Sequence, residues 1–124
     1  MLKAAARVPI VIVSPDRASQ WRIVDAAVER TADGGATWQA QPLGAAAAVR
    51  AGTAPSAQVC WLVGARGLVL LTTDGVTWRR IDVPEPIDLA SIQASDGSHA
   101  TVTATTGRTF ATSDGGTTWG RQHP

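Results

Sequence analysis

The stretch TSDGGTTW at residues 112–119 occurs twice more in the chain, as TADGGATW at 31–38 and, one residue shorter, as TTDGVTW at 72–78. Asp33, Asp74 and Asp114 stand 41 and 40 residues apart, and Trp38, Trp78 and Trp119 stand 40 and 41 apart. A fixed period of this size marks a repeat architecture. The match also reaches upstream of the phrase. WLVGARGLVLLTTDGVTW at 61–78 lies over WRIVDAAVERTADGGATW at 21–38, with Trp61 over Trp21; in the third copy Thr101 takes that position, with Gly107 over Gly67 and Thr112 over Thr72.

Each unit carries short runs rich in Val, Ile, Leu, Thr and Trp, broken every few residues by Gly, Pro, Asp and Ser, the pattern of antiparallel strands joined by tight turns. Four strands per unit are expected: 8–13, 20–25, 27–31 and 37–41; 46–51, 58–64, 67–72 and 77–82; 88–94, 99–105, 107–112 and 117–121. Leu43 to Val49, with four successive alanines, is the one stretch of helical composition, but Gly44 and Gly52 bracket it and a strand is expected there too. The chain therefore reads as a single all-β domain, 1–124, of three repeats at about 8–41, 46–82 and 88–121.

The repeated phrase has a structural reading. An Asp at the head of a hairpin accepts hydrogen bonds from backbone N–H groups one to three residues on, while the glycines after it take angles closed to other residues. The Thr two residues before adds a hydroxyl on the same side, and the Trp that ends the phrase buries a ring under the turn. Thr31, Asp33, Gly35 and Trp38, Thr72, Asp74, Gly75 and Trp78, and Thr112, Asp114, Gly116 and Trp119 are thus assigned to closing hairpins. One carboxylate per phrase is fewer than calcium ordinarily takes. The middle phrase lacks a glycine, so its turn should be a residue tighter.

The pattern Ser/Thr-x-Asp-x-Gly-x-Thr-Trp resembles the Asp-box, or bacterial neuraminidase repeat, and its spacing is that of one four-stranded blade of a β-propeller. The longer form at 61–75 looks like the repeats of the photosystem II assembly and stability factor group, and similar domains end some bacterial membrane-bound anti-sigma factors, outside the cytoplasm. The resemblance implies three blades of a β-propeller-like fold. Three is fewer than the four to eight that close a propeller, and the flanks of the first and last blades are expected to expose apolar surface. Two copies joined head to tail would complete a six-bladed ring. A longer polypeptide supplying the missing blades, and an open or unusual closed packing, are the alternatives, and the whole unit count favours the homodimer.

Composition narrows the function. Eleven basic and ten acidic residues leave a net charge of +1, which gives no footprint for nucleic acid or an anionic membrane. The lone cysteine, Cys60, between Val59 and Trp61, reads as a buried strand thiol and excludes a thiolate metal cluster. No apolar run approaches the roughly 18 residues of a membrane span. Arg7-Val8-Pro9 resembles the Arg-Ile-Pro motif of sialidases only weakly, and a sialidase needs a tyrosine nucleophile that this chain lacks. Arg7 is therefore read as a solvated residue. His99 and His123 have no ligand-spaced partners, so neither metal nor cofactor is expected.

What remains is a binding surface. Arg66 and Arg108 fall at the same inter-strand turn of units two and three, where Asp25 or Ala26 stands in unit one. Their forked donors suit carboxylates, so they form a candidate rim for an acidic peptide or an anionic glycan. Arg50, Arg79 and Arg80 are further exposed candidates. The expected function is a non-catalytic protein-interaction or extracytoplasmic sensing and assembly module, with an unidentified protein partner. The alternative is a carbohydrate-binding module or inactive glycosidase relative, which would show exposed aromatic platforms. The protein-binding reading instead expects Trp21, Trp38, Trp61, Trp78 and Trp119 to be largely buried.

Overall fold

A computed structural model describes residues 10–24, 27–41, 49–75, 77–83 and 85–122. The start of the first expected strand, the alanine run at 45–48, Arg7, Asp25, Ala26 and His123 lie outside these residues. Blade 1 consists of β1 (Ile10–Val13), β2 (Gln20–Val24), β3 (Ala27–Thr31) and β4 (Gln39–Gln41). Blade 2 consists of β5 (Val49–Thr53), β6 (Cys60–Gly64), β7 (Val69–Thr72) and β8 (Trp78–Arg80). Blade 3 consists of β9 (Leu89–Ala94), β10 (Ala100–Ala104), β11 (Thr109–Thr112) and β12 (Gly120–Gln122). Each is a four-stranded antiparallel sheet in chain order, and the first strands β1, β5 and β9 lie side by side. The fold is a partial β-propeller, with no α-helix among the described residues.

Where strand ends differ from expectation, the turn chemistry decides. β4 and β12 start at Gln39 and Gly120 rather than at 37 and 117, because Thr37 and Thr118 are still bonded to the carboxylates of Asp33 and Asp114. β7 starts at Val69 rather than 67 because Ala65–Gly67 forms a single 3-10 turn, with Arg66 at φ 59. β5 runs on to Thr53, past the expected end at 51, through a register shift between Val49 and Ala51.

Side chains alternate across each sheet, so every blade has a face toward the preceding blade and a face toward the next. The seam between blades 1 and 2 buries Ile12, Trp21, Ile23 and Val28 against Cys60, Leu62, Leu68 and Leu70. The seam between blades 2 and 3 buries Trp61, Val63, Val69 and Leu71 against Leu89, Ile92, Val102 and Phe110. Cys60 is fully buried, and burial pushes its thiol well above the ordinary range; it serves as a core residue.

Blade register shows why the middle sheet is apolar on both faces and the outer two are not. Toward the next blade, Trp21 pairs with Arg30 and Ile23 with Val28 in blade 1, and Trp61 pairs with Leu71 and Val63 with Val69 in blade 2. The same rungs of blade 3 hold Thr101 with Ala111 and Thr103 with Thr109. Toward the preceding blade, Leu62 pairs with Leu70 and Val102 with Phe110, whereas blade 1 has Arg22 with Glu29. Arg22 and Glu29 form an ion pair at 2.8 Å. The expectation of apolar outer flanks is corrected accordingly: only Val11 and Val13, at 48% and 44% exposure, are large exposed apolar residues among those described.

Candidate functional site

Hairpin closure at the Asp boxes uses the Thr hydroxyl and the carboxylate together. The Thr31 hydroxyl donates to Asp33 Oδ1 at 2.6 Å while accepting the Gly35 N–H at 3.0 Å. Asp33 also accepts the N–H and hydroxyl of Thr37, at 2.9 and 2.5 Å. In the third box the Thr112 hydroxyl bonds to Asp114 at 2.7 Å and Gly116 N–H to Thr112 at 2.9 Å, and Thr118 N–H and hydroxyl reach Asp114 at 2.9 and 2.6 Å. In the middle box Thr72 bonds to Asp74 at 3.0 Å, and the N–H accepted is that of Thr77, three residues on rather than four. That turn is tighter by the residue the sequence omits. The outer boxes reach one residue further than expected, because their second glycine lengthens the loop.

These bonds favour the ionised carboxylates. The Thr31 and Thr37 hydroxyls hold Asp33 well below the usual range. The Thr118 hydroxyl and N–H, followed by the Thr112 hydroxyl, lower Asp114 from 3.8 to about 2. A depressed native value stabilises the fold fully above the unfolded value, and the contribution is lost as pH falls through the native one. Urea midpoints should therefore hold until the pH nears 3.8 and fall from there toward about 2. Asp114→Asn should lower the midpoint at neutral pH and flatten that acid slope. An unchanged slope would show that the box carboxylate does not carry the acid sensitivity.

The box tryptophans dock on the preceding blade. Trp119 meets Trp61 edge to face, with centroids 6.4 Å apart, and Trp78 Nε1 donates to Gln41 of blade 1 at 3.1 Å. Among the described residues no blade precedes that of Trp38. Its Nε1 donates to Gly35 O at 3.1 Å and the Arg22 guanidinium covers its ring at 4.0 Å. Of the five tryptophans expected to be buried, Trp21 and Trp61 are fully so, while Trp38, Trp78 and Trp119 are half-buried. The last three sit at or beside each blade's outermost strand.

At the opposite end of the blades from the boxes lie the β6–β7 and β10–β11 turns, which carry Arg66 and Arg108. The segment 85–88 runs between them. Asp88 Oδ1 accepts the Arg66 backbone N–H at 3.0 Å, Asp88 O accepts Thr105 N–H at 2.9 Å, and Arg108 pairs with Glu85 at 2.7 Å. The two arginine turns thus share one rim. Arg108 is engaged through Nη1 by the Glu85 carboxylate, and its side chain stays about half exposed. The Arg66 side chain is exposed and meets no acid among the described residues. The sequence marks Glu85 and Asp88 as a charged turn between blades, and the fold brings that turn against both arginine turns.

His99 bonds to Asp96 at 3.0 Å, and no cluster of three metal-ligating side chains occurs among the described residues. Asp96 is lowered, first by His99 and then by the Ser98 and His99 N–H groups. Its role is that of a turn cap, like that of Asp16, which Ser14 and Ala18 hold.

Twenty-nine solved chains share this fold. A structure described as YCF48 bound to D1 peptide superposes with a TM-score of 0.75 at 24% identity, covering 98% of this chain and 41% of the other. YCF48 from Cyanidioschyzon merolae gives 0.75 at 22%, covering 97% and 41%. A GH74 enzyme of Niastella koreensis gives 0.65 at 15%, covering 98% and 19%. The chain thus spans about two-fifths of the length of the two YCF48 structures. No curated protein sequence matches it. A sequence profile described as photosynthesis system II assembly factor YCF48 matches residues 12–123, which takes in the repeats of all three blades, and the chain belongs to that family.

Proposed function

We propose that the chain is a non-catalytic protein-interaction module that takes an acidic, extended peptide on the rim of Arg66, residues 85–88 and the β10–β11 turn. The carrying observation is the exposed Arg66 guanidinium on a backbone pinned by Asp88. A pinned backbone limits the entropy lost when a carboxylate binds. The D1 peptide held by a YCF48 supports a peptide as the ligand class. An extracytoplasmic sensing or assembly role rests on the likeness to anti-sigma factor C-terminal domains. The polar flanks of blades 1 and 3 admit neighbouring blades, from a second copy or from a longer polypeptide.

The test is fluorescence anisotropy with a labelled peptide of acidic residues ending in a free carboxylate. Arg66→Glu should weaken binding by tenfold or more, since a forked charge-assisted contact becomes a repulsion. Affinity should also fall as salt is raised. Equal affinity in Arg66→Glu, or tighter binding to a neutral oligosaccharide than to the peptide, would overturn the reading.

A further inference from the structure

The outer flanks of the chain carry two halves of one seam. On blade 3 the rung Gln93–Thr101–Ala111–Gly120 occupies the place held in blade 2 by Thr53–Trp61–Leu71–Arg79 and in blade 1 by Ile12–Trp21–Arg30–Gln39. Replacement of Trp and Leu by Thr and Ala leaves a hollow of about 740 Å3, lined by Gln93, Ser95, Thr101, Ser113 and Thr118 among others. On the opposite flank of blade 1 stand Trp38, Val11 and Val13. Trp38 occupies the position from which Trp119 reaches Trp61 and Trp78 reaches Gln41. The glycines of the boxes repeat the contrast. A Cβ on Gly75 would meet Arg30 of blade 1 at 2.8 Å and one on Gly116 would meet Ile81 of blade 2 at 2.3 Å, whereas one on Gly35 meets only its own Trp38, at 3.8 Å.

We infer that Trp38 of one copy seats in the Thr101 hollow of a second copy, joining the two chains head to tail. The occupant is another copy of this chain because both halves follow the repeat's own docking rule. A box tryptophan enters beside the Trp21, Trp61 and Thr101 position of the blade before it, and among the described residues the tryptophan that meets no other blade and the position that receives none lie on opposite flanks. Two copies form a six-bladed ring when both seams close together. The seam is polar: the Arg22–Glu29 pair on one side faces threonines on the other. Such a seam leaves single chains soluble and makes the pairing reversible, so it depends on concentration. It involves neither Arg66 nor the rim and stands apart from the peptide reading.

Light scattering across a dilution series of the whole chain, Trp38→Ala, Thr101→Arg and their equimolar mixture tests this. The wild type should rise from 12.9 kDa toward twice that mass with concentration. Each variant should stay at the single-chain mass, because one loses the knob and the other fills the hollow. The mixture should recover part of the association, since one seam of the pair, Trp38 of the Thr101→Arg chain in the hollow of the Trp38→Ala chain, is intact. Both changes lie on solvated flanks, and circular dichroism checks that each variant is folded. A wild type that remains a monomer up to its solubility limit, a Trp38→Ala chain that associates like the wild type, or a mixture that stays monomeric would each overturn the inference.

Discussion

Trp61→Ala should cost about 3–5 kcal/mol of unfolding free energy, the range for removing a large buried aromatic side chain. Trp61 is fully buried between blades 2 and 3, donates from Nε1 to Asp96 O at 3.0 Å, and stacks edge to face with Trp119. The change removes the ring's burial, the aromatic pair, worth about 0.5–1.5 kcal/mol beyond area, and the one hydrogen bond by which this indole ties blade 2 to the β9–β10 turn. A domain of ordinary stability, about 5–15 kcal/mol, would lose a large part of it. Urea unfolding at constant slope is the measurement. Trp61→Phe should keep most of the burial and lose chiefly the hydrogen bond, about 1 kcal/mol. A loss below about 1 kcal/mol for the alanine variant would mean that this seam does not hold the fold together.

Gly116→Ala should destabilise by about 2–5 kcal/mol, from left-handed backbone strain of about 1–2 and crowding of about 1–3. Gly116 sits at φ +90 with Ile81 Cγ2 2.3 Å from where a Cβ would lie. Gly35, at φ +104, is the same box position on blade 1, and among the described residues its Cβ would meet only Trp38 at 3.8 Å. Gly35→Ala should therefore show the backbone strain alone. The excess at Gly116 should vanish in an Ile81→Ala background, which a double-mutant cycle measures as coupling. Equal costs at the two glycines would show that the box of blade 3 does not abut blade 2.

The repeat was legible because the Asp box is local chemistry. Thr, Asp and Gly act on groups within four residues, so the phrases marked closed hairpins and the tighter turn at 72–78, while the outer boxes reach the fourth residue where the third was expected. Strand pairing followed from the same spacing. Less legible was what depends on which blade lies next door. Arg30, in the place of Leu71, donates to Ser19 and to Ala57 O of the next blade at 3.3 and 3.2 Å, a role visible only once the seam is known. Glu85 meets Arg108 across 23 residues. The polar ends, Arg22 with Glu29 and Thr101 with Ala111, were present in the aligned repeats. They carry meaning only with the register that puts them on outer flanks.

Proton–nitrogen NMR spectra of the labelled chain, recorded while the acidic peptide is added, test the central claim that the boxes are framework and binding belongs to the opposite rim. The largest shifts should fall at residues 65–67, 85–88 and 104–108, with the amides of Gly35, Gly75 and Gly116 unmoved. Shifts centred on the boxes, or the same pattern produced by an oligosaccharide in place of the peptide, would contradict it.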